Sequence, residues 1–310
     1  MERSFSKEVE QLRLGDGETF HGEGIVAITK ALLQSGVSYV GGYQGAPVSH
    51  LVDVLVDAED MMQELGVHLE TCTSEASAAA MLGASINYPL RGAVSWKSVV
   101  GTNVAADALS NLASSGVMGG TMIILGEDYG EGASIIQERS HGFAMKSTMW
   151  LMDPRPELPT MVRMVEKGFE MSEASSTPVM MELRIRTCHV HGSFEAKDNR
   201  SGVRSGLHKI ENADFDYGRL AHPPSSFAQE KHKVEVRRPN AEKFIIDNVL
   251  NEFTHGARGE IGLILQGGLF NTVQRALSML GLGDAFGGAE IPRLVLNVVH
   301  PLVPSEIERF

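Results

Sequence analysis

One carboxylate in this chain is set apart by its surroundings. Glu75 follows a polar turn, Thr71-Cys72-Thr73-Ser74, and opens a run of small residues: Ala76, Ser77, Ala78, Ala79, Ala80, Gly83, Ala84 and Ser85. Small side chains on a helix let a flat ligand or a second backbone come close. A first-turn glutamate is favoured as the anion by the helix dipole. A carboxyl that is also buried can share or pass a proton near neutral pH. The same spacing fits a solvated glutamate that simply stabilises its helix. Lys97 precedes Gly101-Thr102-Asn103. It could hold an anion together with the amides of the following helix N-terminus, or stand as an ordinary strand-end lysine. Gly45-Ala46-Pro47 could press backbone against a flat ring, or serve as a strand-to-helix turn with proline near the first helical position.

No metal set is expected. His189 and His191 alternate on a strand end without a third ligand. Glu127-Asp128 with Glu131 could touch a cation, although a solvated loop is the simpler reading. The methionines are core filler. There is no GxxxxGK[ST] phosphate loop and no Gly-x-Ser-x-Gly elbow. Gly15-Asp16-Gly17 lacks the strand and the following asparagine of a metal-diphosphate site.

The elements that must position these groups alternate. Helical spacing covers 22–34, with Ile25, Ile28, Leu32 and Leu33 on one face. The segment 37–40 reads as a strand, and 49–65 as a helix stopped by Gly66. Strands follow at 67–70, 92–96, 121–125 and 179–183, separated by helices at 75–87, 104–115 and 157–172. The continuous apolar run 121–125 marks a central parallel strand. Strand and helix in alternation, with short connections, predict a doubly wound α/β fold with a mostly parallel sheet over 20–190. Four loops then lie at the carboxyl ends of strands, where such sheets bind ligands: 43–47, 71–75, 97–103 and 128–141. Residues 1–19 read as a polar arm and 191–240 as a linker or excursion. Residues 241–310 read as a second α/β domain that stops on the first turns of a helix, so a longer or split polypeptide is expected.

Composition bounds the reading. The chain has 310 residues, of which 43% are hydrophobic and 21% charged, an ordinary globular balance. A net charge of -12 with no basic stripe argues against nucleic acid. No apolar run approaches a membrane span, and the polar N-terminus carries no signal core, so no membrane contact and a cytoplasmic location are expected. Two cysteines, Cys72 and Cys188, cannot frame a four-cysteine cluster.

Taken together, the loops resemble those of 2-oxoacid:ferredoxin oxidoreductases, and within them the alpha subunit of the indolepyruvate enzymes. Gly42-Tyr43-Gln44-Gly45-Ala46-Pro47-Val48-Ser49 is similar to a Gly-Tyr-Pro-Gly-Thr-Pro-Ser-Ser segment, and Ser74-Glu75-Ala76 to an Asn-Glu-Lys helix start. Lys97 with Gly101-Thr102-Asn103-Val104-Ala105-Ala106-Asp107 resembles Lys…Gly-Leu-Asn-Val-Ala-Ser-Asp. Asp128-Tyr129-Gly130 with Ala133-Ser134 and Gln137 resembles Asp-Pro-Gly…Ser-Ser-Gln. The resemblance implies that 20–190 is a pyrimidine-binding domain for thiamine diphosphate. Glu75 would be the catalytic residue, bonding N1′ of the aminopyrimidine ring. Tyr43, Gly45, Pro47 and Asn103 would complete the cofactor contacts, and Lys97, Asn103 and Gln137 would hold the 2-oxo acid.

The implied reaction is oxidative decarboxylation of indolepyruvate or another arylpyruvate to an acyl-CoA and carbon dioxide. Mg2+ and [4Fe-4S] clusters would be held outside these residues. The implied partners are a diphosphate-binding domain or subunit, a second gamma-type subunit or domain, ferredoxin and coenzyme A, in an oligomer. A non-redox thiamine-diphosphate decarboxylase and a non-catalytic scaffold subunit are the alternatives. Gln44 and Ala46 depart from the family's proline and threonine, which removes a hydroxyl from the substrate side.

Overall fold

The computed structural model describes residues 4–127, 139–202 and 216–310. Twelve strands are present among them: β1 (Thr19–Glu23), β2 (Tyr39–Gly42), β3 (His68–Thr71), β4 (Gly92–Lys97), β5 (Thr121–Gly126), β6 (Trp150–Met152), β7 (Val179–Leu183), β8 (His191–Glu195), β9 (Glu252–Thr254), β10 (Leu263–Gln266), β11 (Arg293–Leu296) and β12 (Val298–His300). Seven of them form the central sheet in the order β12-β6-β7-β5-β4-β2-β3. All its neighbours run parallel except β12, which pairs antiparallel with β6. The doubly wound, mostly parallel sheet expected from the alternation is therefore present.

Both faces of this sheet are covered, and successive side chains show it. Met122 and Ile124 of β5 pack into one core with Val26, Leu55, Val165 and Phe169. Ile123 and Leu125 point into the opposite core with Ala78, Trp96, Leu109 and Leu112. A strand buried on both sides must be apolar throughout, which is why β5 reads as an unbroken hydrophobic run. The helix Gly24–Gln34 is buried along its whole length. It lies under the long helix Leu158–Ser175 and beside the helix Ser49–Asp57.

Several local elements differ from the sequence reading. The helix expected over 49–65 is broken at Ala58 into Ser49–Asp57 and Glu59–Leu65. Gly66 stops the second piece in the left-handed region, at φ 70°. Residues 4–19 do not trail as an arm: the helix Ser6–Leu12 packs with Leu12 fully buried. β1 pairs antiparallel with β8, Phe20 opposite Phe194, and the two rings stack at 4.8 Å. The described part of the excursion over 191–240 (191–202 and 216–240) is also tied down. Arg237 reaches back and donates to the carbonyls of Ala113, Ser114 and Ser115 at the end of the helix Ala106–Ser115. Gly116 leaves that helix at φ 70°. These segments lack sustained periodicity because pairing and long polar side chains, rather than an apolar stripe, hold them.

β9, β10 and β11 form a second, three-stranded sheet in the order β10-β11-β9. β12 follows β11 directly but joins the large sheet, so the last strand of the chain crosses from one sheet to the other.

Candidate active site

Because β2 to β7 run parallel, their carboxyl ends share one edge of the sheet. Lys97 ends β4, and Tyr43, Ser74, Glu127, Asp153 and Arg184 follow the ends of the other parallel strands. Glu75 begins the helix Glu75–Met81. Ser74 is extended and caps it, its hydroxyl accepting from the Ser77 amide at 3.2 Å. The small residues behind Glu75 do what their size suggests: Ala78 and Ala79 are buried against Trp96 and Leu109.

Glu75 itself is only 6% exposed. Among the described residues, no hydrogen bond or ion pair reaches its carboxylate. Gly101 presses on it from the other side. A Cβ at Gly101 would stand 2.4 Å from Cδ1 of Trp96 and 2.9 Å from Cγ of Glu75. The turn Ser98–Thr102 is a π-helical turn after β4. Thr102 anchors it by accepting from the Trp96 indole N–H at 3.2 Å. The buried carboxylate is thus walled by an indole and a bare backbone.

The next loops are in contact. A Cβ on Gly45 would lie 2.6 Å from Cβ of Lys97, and one on Gly126 would lie 2.6 Å from Cδ of Pro47. The Lys97 ammonium donates to the Ala46 carbonyl at 3.3 Å. The Tyr43 amide donates to Ser95 at 3.0 Å, leaving its ring 42% exposed at the rim. Asn103 is exposed at the end of the π turn. Of the residues singled out in the sequence, Gly45, Pro47 and Lys97 therefore form one contact group beside β4, and Glu75 packs on Trp96 next to it. Gln137 lies outside the described residues.

Of a second group, only Glu127 was singled out in the sequence; its expected companions Asp128 and Glu131 lie outside the described residues. Asp153, Glu182 and Arg184 are buried together at the ends of β6 and β7. The Arg184 Nη2 donates to Asp153 at 2.8 Å, to Glu182 at 3.3 Å and to Gln266 at 3.0 Å. Glu127 accepts from the Ser140 amide at 3.0 Å. His141, on the helix Ser140–Ser147, faces Glu182 and meets the Gln266 amide at 2.8 Å. Burial pushes the Glu182 carboxyl well up, reinforced by repulsion from Asp153 and Glu127. Burial lifts Asp153 to about 6 against the opposing pull of Arg184, and also raises Glu127. His141 is lowered by burial and then by Arg184. One sequence signal could have exposed this group. Glu182 is a lone acid inside Val179-Met180-Met181-Glu182-Leu183, a strand otherwise apolar on both faces.

A parallel sheet with a buried glutamate at its carboxyl edge defines a class by its fold. The 2-oxoglutarate:ferredoxin oxidoreductase from Magnetococcus marinus superposes on it with a TM-score of 0.69, covering 96% of this chain and 56% of that one at 15% identity. At that identity the likeness is one of fold. In sequence, the chain is similar to Indolepyruvate oxidoreductase subunit IorA of several archaea. It is 25% identical to that of Methanothermobacter marburgensis over 303 residues, which is 96% of this chain and 46% of the relative. It is 24% identical to that of Archaeoglobus fulgidus over 308 residues, with the same coverage of both chains. It is 24% identical to that of Thermococcus kodakarensis over 259 residues, which is 83% of this chain and 39% of the relative. The chain thus spans about half the length of the curated relatives it matches. No protein-family model matches it. No helix among the described residues is long and apolar enough to cross a membrane.

Proposed function

We propose that this chain forms the pyrimidine-binding part of a thiamine-diphosphate-dependent 2-oxoacid:ferredoxin oxidoreductase that acts on indolepyruvate or a related arylpyruvate. The observation that carries the reading is the Glu75 carboxylate. The residue is 6% exposed at the carboxyl edge of a parallel sheet, at a helix start, and no described donor reaches its carboxylate. An acceptor left open in this way fits a ligand that brings its own N–H. The fit extends to shape, since Gly45 and Gly101 keep backbone where any larger residue would collide with Lys97, Trp96 or Glu75.

When bound, thiamine diphosphate supplies a thiazolium that serves as the electron sink for decarboxylation. Glu75 would hold the pyrimidine through a charge-assisted hydrogen bond and set where its exchangeable proton resides. Pro47 and Gly45 would offer a flat wall to the ring, and Tyr43 would cover its rim. Lys97 would attract the carboxylate of the 2-oxo acid, with Asn103 and Gln137 as further polar contacts. The diphosphate-binding part, Mg2+, iron–sulfur clusters, ferredoxin and coenzyme A would be supplied by protein beyond these residues. The substrate class rests on the relatives' names, whereas the structural neighbour acts on 2-oxoglutarate.

The test is oxidation of indolepyruvate, phenylpyruvate and 2-oxoglutarate by the complete complex, read by viologen reduction with coenzyme A present. Glu75→Gln should abolish most activity on the preferred acid. Wild-type turnover in that variant would sink the assignment. Equal turnover of 2-oxoglutarate and indolepyruvate by the unmodified enzyme would sink the substrate class alone.

A further inference from the structure

The fold brings three metal-ligating side chains from distant parts of the chain to one point. A ligand atom from each of Glu127, His141 and Glu182 lies within 4.8 Å of the other two. Glu127 follows β5, Glu182 sits in β7, and His141 enters from the helix Ser140–Ser147. Glu182 is fully buried and its Oε2 has no hydrogen-bond partner. His141 Nδ1 is likewise closed off and unpartnered. The two atoms face each other at 3.6 Å, too far for a hydrogen bond. Adjacent ligands of a tetrahedral zinc, with bonds of about 2.0–2.1 Å, stand roughly 3.3 Å apart. We propose that Glu127, His141 and Glu182 form a divalent transition-metal site, with zinc as its first candidate.

The surrounding groups are arranged as supports for such a site. Arg184 bonds the other oxygen of Glu182, Oε1, and leaves Oε2 turned toward His141. The Ser140 amide fixes the Glu127 carboxylate. Gln266 meets the far nitrogen of His141, Nε2, which leaves Nδ1 inward. With Nδ1 on a metal, Nε2 carries the proton and the Gln266 amide presents its oxygen to it. The turn gives up the Arg184–Gln266 bond and brings the Gln266 NH2 toward Nη2, which keeps its bonds to Asp153 and Glu182. With Asp153 offsetting the Arg184 guanidinium, two carboxylates and a neutral imidazole balance a dication. The ion would pin the start of the helix Ser140–Ser147 to the ends of β5 and β7. This inference does not depend on the thiamine reading.

The experiment titrates chelator-stripped chain with zinc chloride, following heat and bound metal, and records X-ray absorption of the zinc-loaded wild type. About one equivalent should bind, raise the melting temperature, and show a shell of oxygen and nitrogen with a single imidazole. His141→Ala and Glu182→Gln should lose the ion, while His50→Ala and His189→Ala should keep it. Absence of stoichiometric zinc would overturn the proposal. So would sulfur scattering from Cys72 or Cys188, or a shell with two imidazoles, which would place the ion between His50 and His189. The absorption spectrum of the wild type decides the matter even if a variant fails to fold.

Discussion

Gly101 leaves the space that the side chain of Glu75 fills: a single added methyl at Gly101 would reach 2.9 Å from Cγ of Glu75. The methyl would also meet the Trp96 ring, which is fully buried and unable to retreat. Gly101 is therefore a packing partner of the candidate catalytic carboxylate. Gly101→Ala should cost about 1–3 kcal/mol through overpacking and shift Glu75. Urea unfolding with the activity assay on the same preparation checks both. Unchanged stability and turnover would show that the π turn yields freely.

Glu75→Gln keeps the shape and removes the charge. The predicted loss is about 10²–10⁴-fold in kcat, the range for a positioned acid–base group. Thiamine diphosphate should also bind more weakly to the complete enzyme, by calorimetry. Stability should hold, because no described donor to the carboxylate is lost and the amide keeps the shape of the side chain. A loss of folding instead would make Glu75 a structural residue.

Lys30 gives a pH signature far from the site. It is fully buried in the helix Gly24–Gln34. Its ammonium donates to the carbonyls of Leu14 and Lys197 and to Asn199. Burial lowers its pKa to about 8 from 10.5, against the pull of Asp198 and Glu18. Below pH 8 both folded and unfolded chains hold the proton, and the buried charge costs stability. Between pH 8 and 10.5 the folded chain releases it first, so stability rises with pH, by about 3 kcal/mol over the window. Denaturant midpoints at pH 7.5 and 10 should show this rise in wild type and not in Lys30→Met. The same slope in both would assign it to other groups.

Arg237 closes the helix Ala106–Ser115 from outside that helix. Burial lowers its pKa to about 10, so it remains charged at neutral pH. Arg237→Met should strand the carbonyls of Ala113 and Ser115 and cost about 2–4 kcal/mol. Hydrogen exchange should rise first at that helix. Protection equal to wild type would mean that water replaces the guanidinium.

The layered architecture was legible because a parallel sheet covered on both faces demands apolar runs such as 121–125. Glycine stops such as Gly66 were legible for the same local reason. The loops around Glu75, Lys97 and Gly45 could be chosen because they follow strand ends. Their mutual contacts could not, since Gly101 against Glu75 and Gly45 against Lys97 depend on strand order. The group of Glu127, His141 and Glu182 stayed hidden for a similar cause. His141 lies in a polar stretch with no period, and nothing local tells which strand it will face. The ribbon of β1 with β8 joins residues far apart in the chain, so residues 1–19 looked unattached when read alone.

The crossing of β12 into the large sheet has a consequence for how the chain is made. β6 gains its outer neighbour only when residues 298–300 arrive, nearly half the chain after residues 150–152. Until then the N–H and C=O groups along β6 stand open as a template for another strand. Long-range closure of this kind is slow and exposes the chain to association during synthesis. A first half ending anywhere in 191–240, which the sequence invites as a linker, would keep that edge open for as long as the second half is missing. The first half made alone should therefore aggregate, and adding back the second half should rescue it only if supplied while the first is still folding.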